Sequence, residues 1–189
     1  MKFVKPLVFI LLLCPLFLLV YLGFNDDLSA EPVEYILHFT GLWSLRILLL
    51  TLAMTPLRQL TKQVIFLKLR RMIGLFVFFY VSLHLLIYAW LDLQLDFAHL
   101  WEDIIDRPYI TVGFLAWLLL LPMAITSNKK MIRQLGKKWK TLHKSIYIIT
   151  ILACLHFIWL VKLDLVEPLI YAGIGFVLLF YRLIKYSRS

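Results

Sequence analysis

The chain has 189 residues, of which 62% are hydrophobic, and its formal net charge at pH 7 is +9. A soluble globular domain is only about 45–50% apolar, and a chain of this length has too much surface to hide the excess in a core of its own. These values exclude an ordinary soluble domain and indicate a protein whose apolar surface faces lipid.

Six apolar runs along the chain predict transmembrane helices. A spanning helix needs roughly 20 mainly apolar residues, so six helices with short connections account for the whole length. We therefore predict an all-α integral membrane bundle. The first run follows two lysines, as in a signal peptide, but it is long and lacks a clean cleavage site, so we interpret it as a retained helix. The predicted spans are Leu7 to Phe24, Ile36 to Leu57, Met72 to Leu91, Tyr109 to Ile125, Leu142 to Val161 and Leu169 to Ile184.

The charged residues predict the orientation of the bundle. Basic residues stay on the cytoplasmic side of a membrane, and here 17 of the 20 lie on one set of flanks while all 11 acids lie on the other. Both termini are therefore predicted to be cytoplasmic, and the positive charge is explained without nucleic-acid binding. The basic set is Lys2, Lys5, Arg58, Lys62, Lys68, Arg70, Arg71, Lys129, Lys130, Arg133, Lys137, Lys138, Lys140, Lys144, Arg182, Lys185 and Arg188. The acids are Asp26, Asp27, Glu31, Glu34, Asp92, Asp96, Glu102, Asp103, Asp106, Asp164 and Glu167.

The acidic segment from Asp96 to Asp106 also contains apolar residues at helical spacing. It is either a short amphipathic helix on the outer membrane face or a loop with an aromatic interfacial anchor. The pattern favours neither interpretation over the other.

Two histidines lie deep inside predicted spans, where ionisable residues are costly and commonly functional. His84 follows Arg71, at the inner edge of the third span, by thirteen residues, and His156 follows His143, at the inner edge of the fifth, by the same number. Because an α-helix rises about 1.5 Å per residue, both histidines are expected about 20 Å from the inner boundary of the membrane. Two histidines at one depth on two helices are suited to binding a haem iron from both faces.

A haem held by two imidazoles has no open coordination position and suits electron transfer better than oxygen activation. A zinc or di-iron centre is disfavoured, because no carboxylate is predicted inside the bilayer to complete the ligand set. The alternative is that each histidine only hydrogen-bonds a neighbouring helix.

His143 is a candidate ligand of a second, inner haem, but no histidine lies opposite it near Arg70. In an ideal helix, thirteen residues place His143 and His156 about 140° apart around the axis, which does not match stacked haems without a local distortion. The alternative is an interfacial histidine beside Trp139.

Other residues near these histidines have two interpretations each. Arg46, Arg70 and Arg71 are candidates for pairing with haem propionates, although Arg70 and Arg71 fit simple inner-edge anchors better. Gly74 and Gly113 would let a porphyrin approach the backbone, or would allow close helix packing.

Short stretches along nearly the whole chain form an ordered pattern. In chain order they are His38-Phe39-Thr40-Gly41, Leu69-Arg70-Arg71-Met72-Ile73-Gly74-Leu75, Leu83-His84, Arg107-Pro108-Tyr109-Ile110-Thr111-Val112-Gly113, Leu135-Gly136-Lys137-Lys138-Trp139-Lys140-Thr141-Leu142-His143-Lys144-Ser145-Ile146-Tyr147, Leu155-His156 and Pro168-Leu169-Ile170-Tyr171-Ala172-Gly173. Taken together, they resemble the haem-binding membrane subunit of the bacterial periplasmic protein-methionine-sulfoxide reductase system, the MsrQ family.

This resemblance implies one ferric-reductase-like transmembrane haem-binding domain over residues 1–189, in the bacterial inner membrane. Haem b would be bound by His84, His156 and His143, with one haem expected and a second left open because the fourth histidine of related two-haem domains is missing. Electrons would come from quinone or from a cytosolic reduced flavin. They would pass to a periplasmic molybdopterin-containing reductase that repairs methionine sulfoxide, so this chain would be an electron-transfer subunit rather than the catalytic one. FMN is associated with the family, but no flavin or dinucleotide motif places it in this sequence.

Two other functions stay open at this point. The first is a stand-alone quinol-linked or ferric reductase of similar architecture. The second is a small transporter or membrane assembly factor in which the histidines pack or relay protons, although no inverted repeat or broken mid-membrane helix is evident.

Overall fold

The fold is that of a computed structural model, which describes residues 3–161 and 163–187. Lys2, Lys162 and Arg188 lie outside the described residues. Every regular element in the described ranges is helical. The helices are α1 Val4–Phe24, α2 Pro32–Thr61, α3 Ile65–Ile87, α4 Phe97–Asp106, α5 Pro108–Ile125, α6 Lys129–Leu135, α7 Lys137–His143, α8 Ile146–Leu160 and α9 Val166–Ser187, and a π-helical turn, Tyr88–Asp92, extends α3.

Six helical segments of the described chain are long and apolar enough to cross a bilayer, which confirms the predicted number of spans. The third runs from α3 through the π-helical turn, and the fifth joins α7 to α8. The six segments are Val4–Phe24, Pro32–Thr61, Ile65–Asp92, Pro108–Ile125, Lys137–Leu160 and Val166–Lys185.

The connections expected from hydropathy were too long. The linker predicted over residues 58–71 is helical except near Lys62, where a left-handed backbone (φ 57°) ends α2 before α3 begins. The linker predicted over residues 126–141 contains α6 and most of α7. Leucine, arginine and lysine favour helix in water as well as in lipid, so hydropathy marks the end of the lipid layer and not the end of the helix.

The core of the bundle is built around α2, which packs along α3 and also meets α8 and α9, while α5 packs along α8. Buried leucine and isoleucine side chains of α2 lie against Ile73, Val77 and Tyr80 of α3. The Tyr80 hydroxyl also donates to the Leu12 carbonyl at 2.7 Å and so fastens α1 to α3. This packing brings α2, α3, α5 and α8 together around the interior histidines.

The acidic segment after the third span forms α4, which decides between its two interpretations in favour of a helix. The Asp96 carboxylate caps its first turn by accepting from the backbone N–H groups of Ala98 and His99. One face of α4 buries Asp103 and Ile104, and the other exposes its aromatic side chains. The helix therefore has the two-faced character that the sequence pattern indicated.

Candidate functional site

The structure brings the two deep histidines together in the interior of the bundle. His84 of α3 and His156 of α8 have ring centroids 6.3 Å apart, and the rings are nearly perpendicular, at 82°. The two helices approach each other here because each packs against a common neighbour, α5, and also against α2. The two histidines expected at equal depth are thus direct neighbours in the bundle.

Each imidazole is held by a backbone carbonyl of an adjacent helix. His84 Nδ1 lies 3.1 Å from the Leu37 carbonyl and 3.2 Å from the Thr40 hydroxyl of α2. His156 Nδ1 lies 2.6 Å from the Tyr109 carbonyl of α5. A carbonyl oxygen only accepts hydrogen bonds, so Nδ1 carries the proton in both rings and the lone pair lies on Nε2. Both histidines are therefore oriented as metal ligands are, with the second nitrogen anchored to the protein.

Two glycines make room for these rings. A Cβ added at Gly113 would lie 2.8 Å from His156 Nδ1 and 3.0 Å from its Cε1, and one at Gly41 would lie 3.1 Å from His84 Cε1. Gly113 thus serves the ring of His156 itself, whereas a Cβ at Gly74 would only meet a methyl group of Thr51 at 3.8 Å. Of the two glycines named from the sequence, only Gly113 lies at the histidine pair.

These residues fit a haem. Imidazole nitrogen binds a metal at about 2 Å, so one iron between two facing imidazoles would place their ring centroids about 6 Å apart. Within residues 3–161 and 163–187, no group of three or more His, Cys, Asp or Glu side chains is arranged to hold a metal ion. A porphyrin supplies four ligands itself, so two protein nitrogens complete its iron.

The structure places His143 away from this pair, at the end of α7. Its Nδ1 lies 3.1 Å from the Trp139 carbonyl of the same helix, and its ring stacks on Trp139 at 3.9 Å. Its Nε2 lies 3.5 Å from the Ser127 hydroxyl. Between His143 and Ile146 the helix tightens, since the N–H groups of Lys144 and Ser145 donate to carbonyls three residues back, so the angle worked out for an ideal helix does not apply.

The remaining sequence candidates lie elsewhere. Arg46 donates from Nε to the Tyr171 hydroxyl at 2.7 Å and lies over the Trp43 ring, while Arg71 is exposed. The exposed histidines outside the pair face carboxylates: His38 lies 3.9 Å from Glu167, and His99 lies beside α4 acids.

A polar cluster at the acidic end of the bundle holds the start of α5. The buried Asp103 carboxylate accepts from the Tyr88 hydroxyl and from Arg107 Nε, the latter at 2.9 Å. A hydrogen bond to the Tyr109 side chain raises the pKa of Arg107, and the nearby charge of Asp103 acts in the same direction. The Thr111 hydroxyl also donates a hydrogen bond of 2.6 Å to the Ile104 carbonyl. This cluster positions the first turn of α5, from which the Tyr109 carbonyl reaches His156.

Sequence reasoning missed the partners of the histidines. Leu37, Thr40 and Tyr109 act through carbonyl and hydroxyl groups that no spacing rule identifies. The available signals are the stretches His38-Phe39-Thr40-Gly41 and Arg107 to Gly113, which contain Thr40 and Tyr109 but indicate no role for them.

Comparisons with known proteins agree with the resemblance. Residues 40–154 match the family described as "Ferric reductase like transmembrane component". Proteins named "Protein-methionine-sulfoxide reductase heme-binding subunit MsrQ" match most of the chain. The one from Xanthomonas campestris pv. campestris (strain B100) is 56% identical over 161 residues, covering 85% of this chain and 74% of the relative. The one from Xanthomonas euvesicatoria pv. vesicatoria (strain 85-10) is 53% identical over 187 residues, covering 96% and 86%.

A more distant relative with the same name, from Bordetella pertussis (strain Tohama I), is 47% identical over 187 residues, covering 98% of this chain and 91% of the relative. No solved structure matches the chain. The extent of these matches, on a bundle of six apolar segments, shows that the chain belongs to the MsrQ family of ferric-reductase-like transmembrane proteins.

Proposed function

We propose that this chain binds haem b between His84 and His156 and transfers electrons to a protein-methionine-sulfoxide reductase. The observation that carries the proposal is the adjacent pair of imidazoles, 6.3 Å apart, each with Nδ1 bonded to a backbone carbonyl and Nε2 left to bind a metal. The names of the relatives, which describe them as heme-binding subunits of such a reductase, support it further.

The residues of this chain would hold, orient and shield the haem. His84 and His156 would hold the haem, which would supply one-electron transfer and not oxygen activation. The carbonyls of Leu37 and Tyr109 set the tautomer of each histidine, and the apolar bundle keeps water away from the pair. Because no position is open for a substrate, the chain would act as an electron-transfer subunit and leave catalysis to its partner.

The cellular arrangement forms part of the same proposal. The whole chain, residues 1–189, would be one domain in the bacterial inner membrane with both termini in the cytoplasm, because the basic residues lie on those flanks. Electrons from quinone or a cytosolic reduced flavin would pass outward to a periplasmic molybdopterin-containing subunit. Methionine sulfoxide is a lesion that reduction repairs, which gives these electrons a use outside the cytoplasm.

His143 and FMN complete the proposal. His143 would bind a second haem only with a ligand other than histidine opposite it, and its Nε2 now faces the Ser127 hydroxyl. FMN rests on the family resemblance alone, since no flavin-binding motif is present in the sequence.

The decisive experiment is a reduced-minus-oxidised absorption spectrum of the detergent-purified protein, with haem counted per chain. We expect low-spin b-type bands that disappear in His84→Gln and in His156→Gln. The control variants His38→Gln and His99→Gln, at exposed histidines beside carboxylates, should keep them. Full haem content in both interior variants would refute the assignment, and colourless wild-type protein after addition of hemin would favour a transporter or assembly factor.

A further inference from the structure

Two arginines lie half-buried at the basic end of the bundle, which is formed by the ends of α2 and α9 and the starts of α3 and α8. Arg182 of α9 donates to the Leu52 carbonyl at 2.8 Å, to the Thr55 hydroxyl at 3.1 Å and to the Tyr147 hydroxyl at 3.2 Å. Arg70 of α3 is close enough to Arg182 for their charges to repel, and it also lies near Tyr147. We call Arg70, Arg182 and Tyr147 the basic-end cluster.

The oxygens that Arg182 reaches are all neutral, and its guanidinium is not fully bonded. Its Nε is buried without a hydrogen-bond partner among the described atoms. The guanidinium carbon also lies 5.5 Å from the centroid of the Tyr147 ring, which offers a cation a favourable face but no charge. A half-buried cation held in this way is favourable only when an anion lies near it.

The chain itself supplies no carboxylate side chain for this cluster. The sequence has no Asp or Glu between Glu34 and Asp92, between Asp106 and Asp164, or after Glu167. The carboxylates that pair with His38, His99 and Arg107 all belong to the acidic flanks, at the other end of the helices. No Asp or Glu side chain of the basic flanks is therefore available to balance Arg70 and Arg182, and an anion at the membrane surface would serve.

We propose that the basic-end cluster binds the phosphate of an anionic phospholipid headgroup. Guanidinium groups bind phosphate oxygens through charge-assisted hydrogen bonds, and basic pockets between helix ends are where anionic lipids bind membrane proteins. Arg182 lies near the end of its apolar segment, Val166–Lys185, and Arg70 lies near the start of its own, Ile65–Asp92, so both guanidinium groups can reach the depth of lipid headgroups. The site requires a membrane-embedded bundle and does not depend on haem.

The test measures lipid binding to the full-length protein in detergent after delipidation. Phosphatidylglycerol, phosphatidylcholine or inorganic phosphate is added, and the melting temperature and the lipid retained per chain are recorded. We expect phosphatidylglycerol to raise the melting temperature more than phosphatidylcholine. In Arg182→Gln and in Arg70→Gln the apparent affinity should fall about tenfold, as for the loss of a hydrogen bond between charged groups.

Arg71→Gln is the matched control, since it removes the same charge from the neighbouring but exposed position. It should bind phosphatidylglycerol like the wild type. Equal weakening in all three variants, or no preference for phosphatidylglycerol, would overturn the proposal. Inorganic phosphate giving the whole effect would overturn the lipid assignment, and so would loss of haem from the Arg70 and Arg182 variants, which would point to a haem propionate instead.

Discussion

A single methyl group at Gly113 should disable the histidine pair. A Cβ there would lie 2.8 Å from His156 Nδ1, closer than such atoms approach in proteins, so the ring or the α5 backbone must shift. The same Nδ1 is bonded to the Tyr109 carbonyl at 2.6 Å, so the ring cannot move away without losing that bond. Loss of a partner that orients a metal ligand costs about 10–100-fold in metal affinity. We expect Gly113→Ala to weaken haem binding by that factor.

Gly41→Ala provides a graded comparison, since its Cβ would lie 3.1 Å from His84 Cε1 and requires a smaller shift. Gly173→Ala is the control, because a Cβ there meets nothing within 4 Å. All three glycine-to-alanine changes favour the helical conformation by about 1 kcal/mol, so weaker haem binding in Gly113→Ala and Gly41→Ala cannot come from helix propensity.

The assay is a hemin titration of each purified variant, read from the low-spin absorption bands, together with its melting temperature without haem. The expected order of haem affinity is Gly173→Ala equal to wild type, then Gly41→Ala, then Gly113→Ala. If Gly113→Ala binds haem as tightly as Gly173→Ala, the close approach of His156 to α5 does not exist as described.

Three further predictions follow from the contacts around the site. Thr40→Val should raise the midpoint potential of the haem in a redox titration, because the hydroxyl beside His84 Nδ1 makes that ligand more electron-donating. The control is Thr51→Val, which removes a hydroxyl bonded to a carbonyl of its own helix and should leave the midpoint potential unchanged. His143→Ala should keep the bands of the interior haem in a difference spectrum, and loss of all haem would contradict two separate sites. Asp103→Asn should lower the free energy of unfolding by about 1–2 kcal/mol in thermal denaturation, because it weakens the hydrogen bonds to Tyr88 and to the half-exposed Arg107. An unchanged melting temperature would show that these bonds do not hold α5.

The sequence alone determined the number of candidate spans and the segregation of charge, and it predicted an equal depth for His84 and His156. These properties depend only on position along the chain. Transfer into lipid depends on local composition, and the constant rise of a helix converts a count of thirteen residues into a height in the membrane.

The tertiary structure decided everything that depends on rotation about a helix axis and on neighbours. It set Tyr109 against His156, Thr40 against His84, and Asp103 beneath the start of α5. It also tightened the helix after His143 into a turn with bonds to carbonyls three residues back, which no hydropathy pattern indicated. A helix has the same composition and length whichever face it turns inward, so only the packing of α2, α3, α5 and α8 decides which carbonyls and glycines meet the two imidazoles.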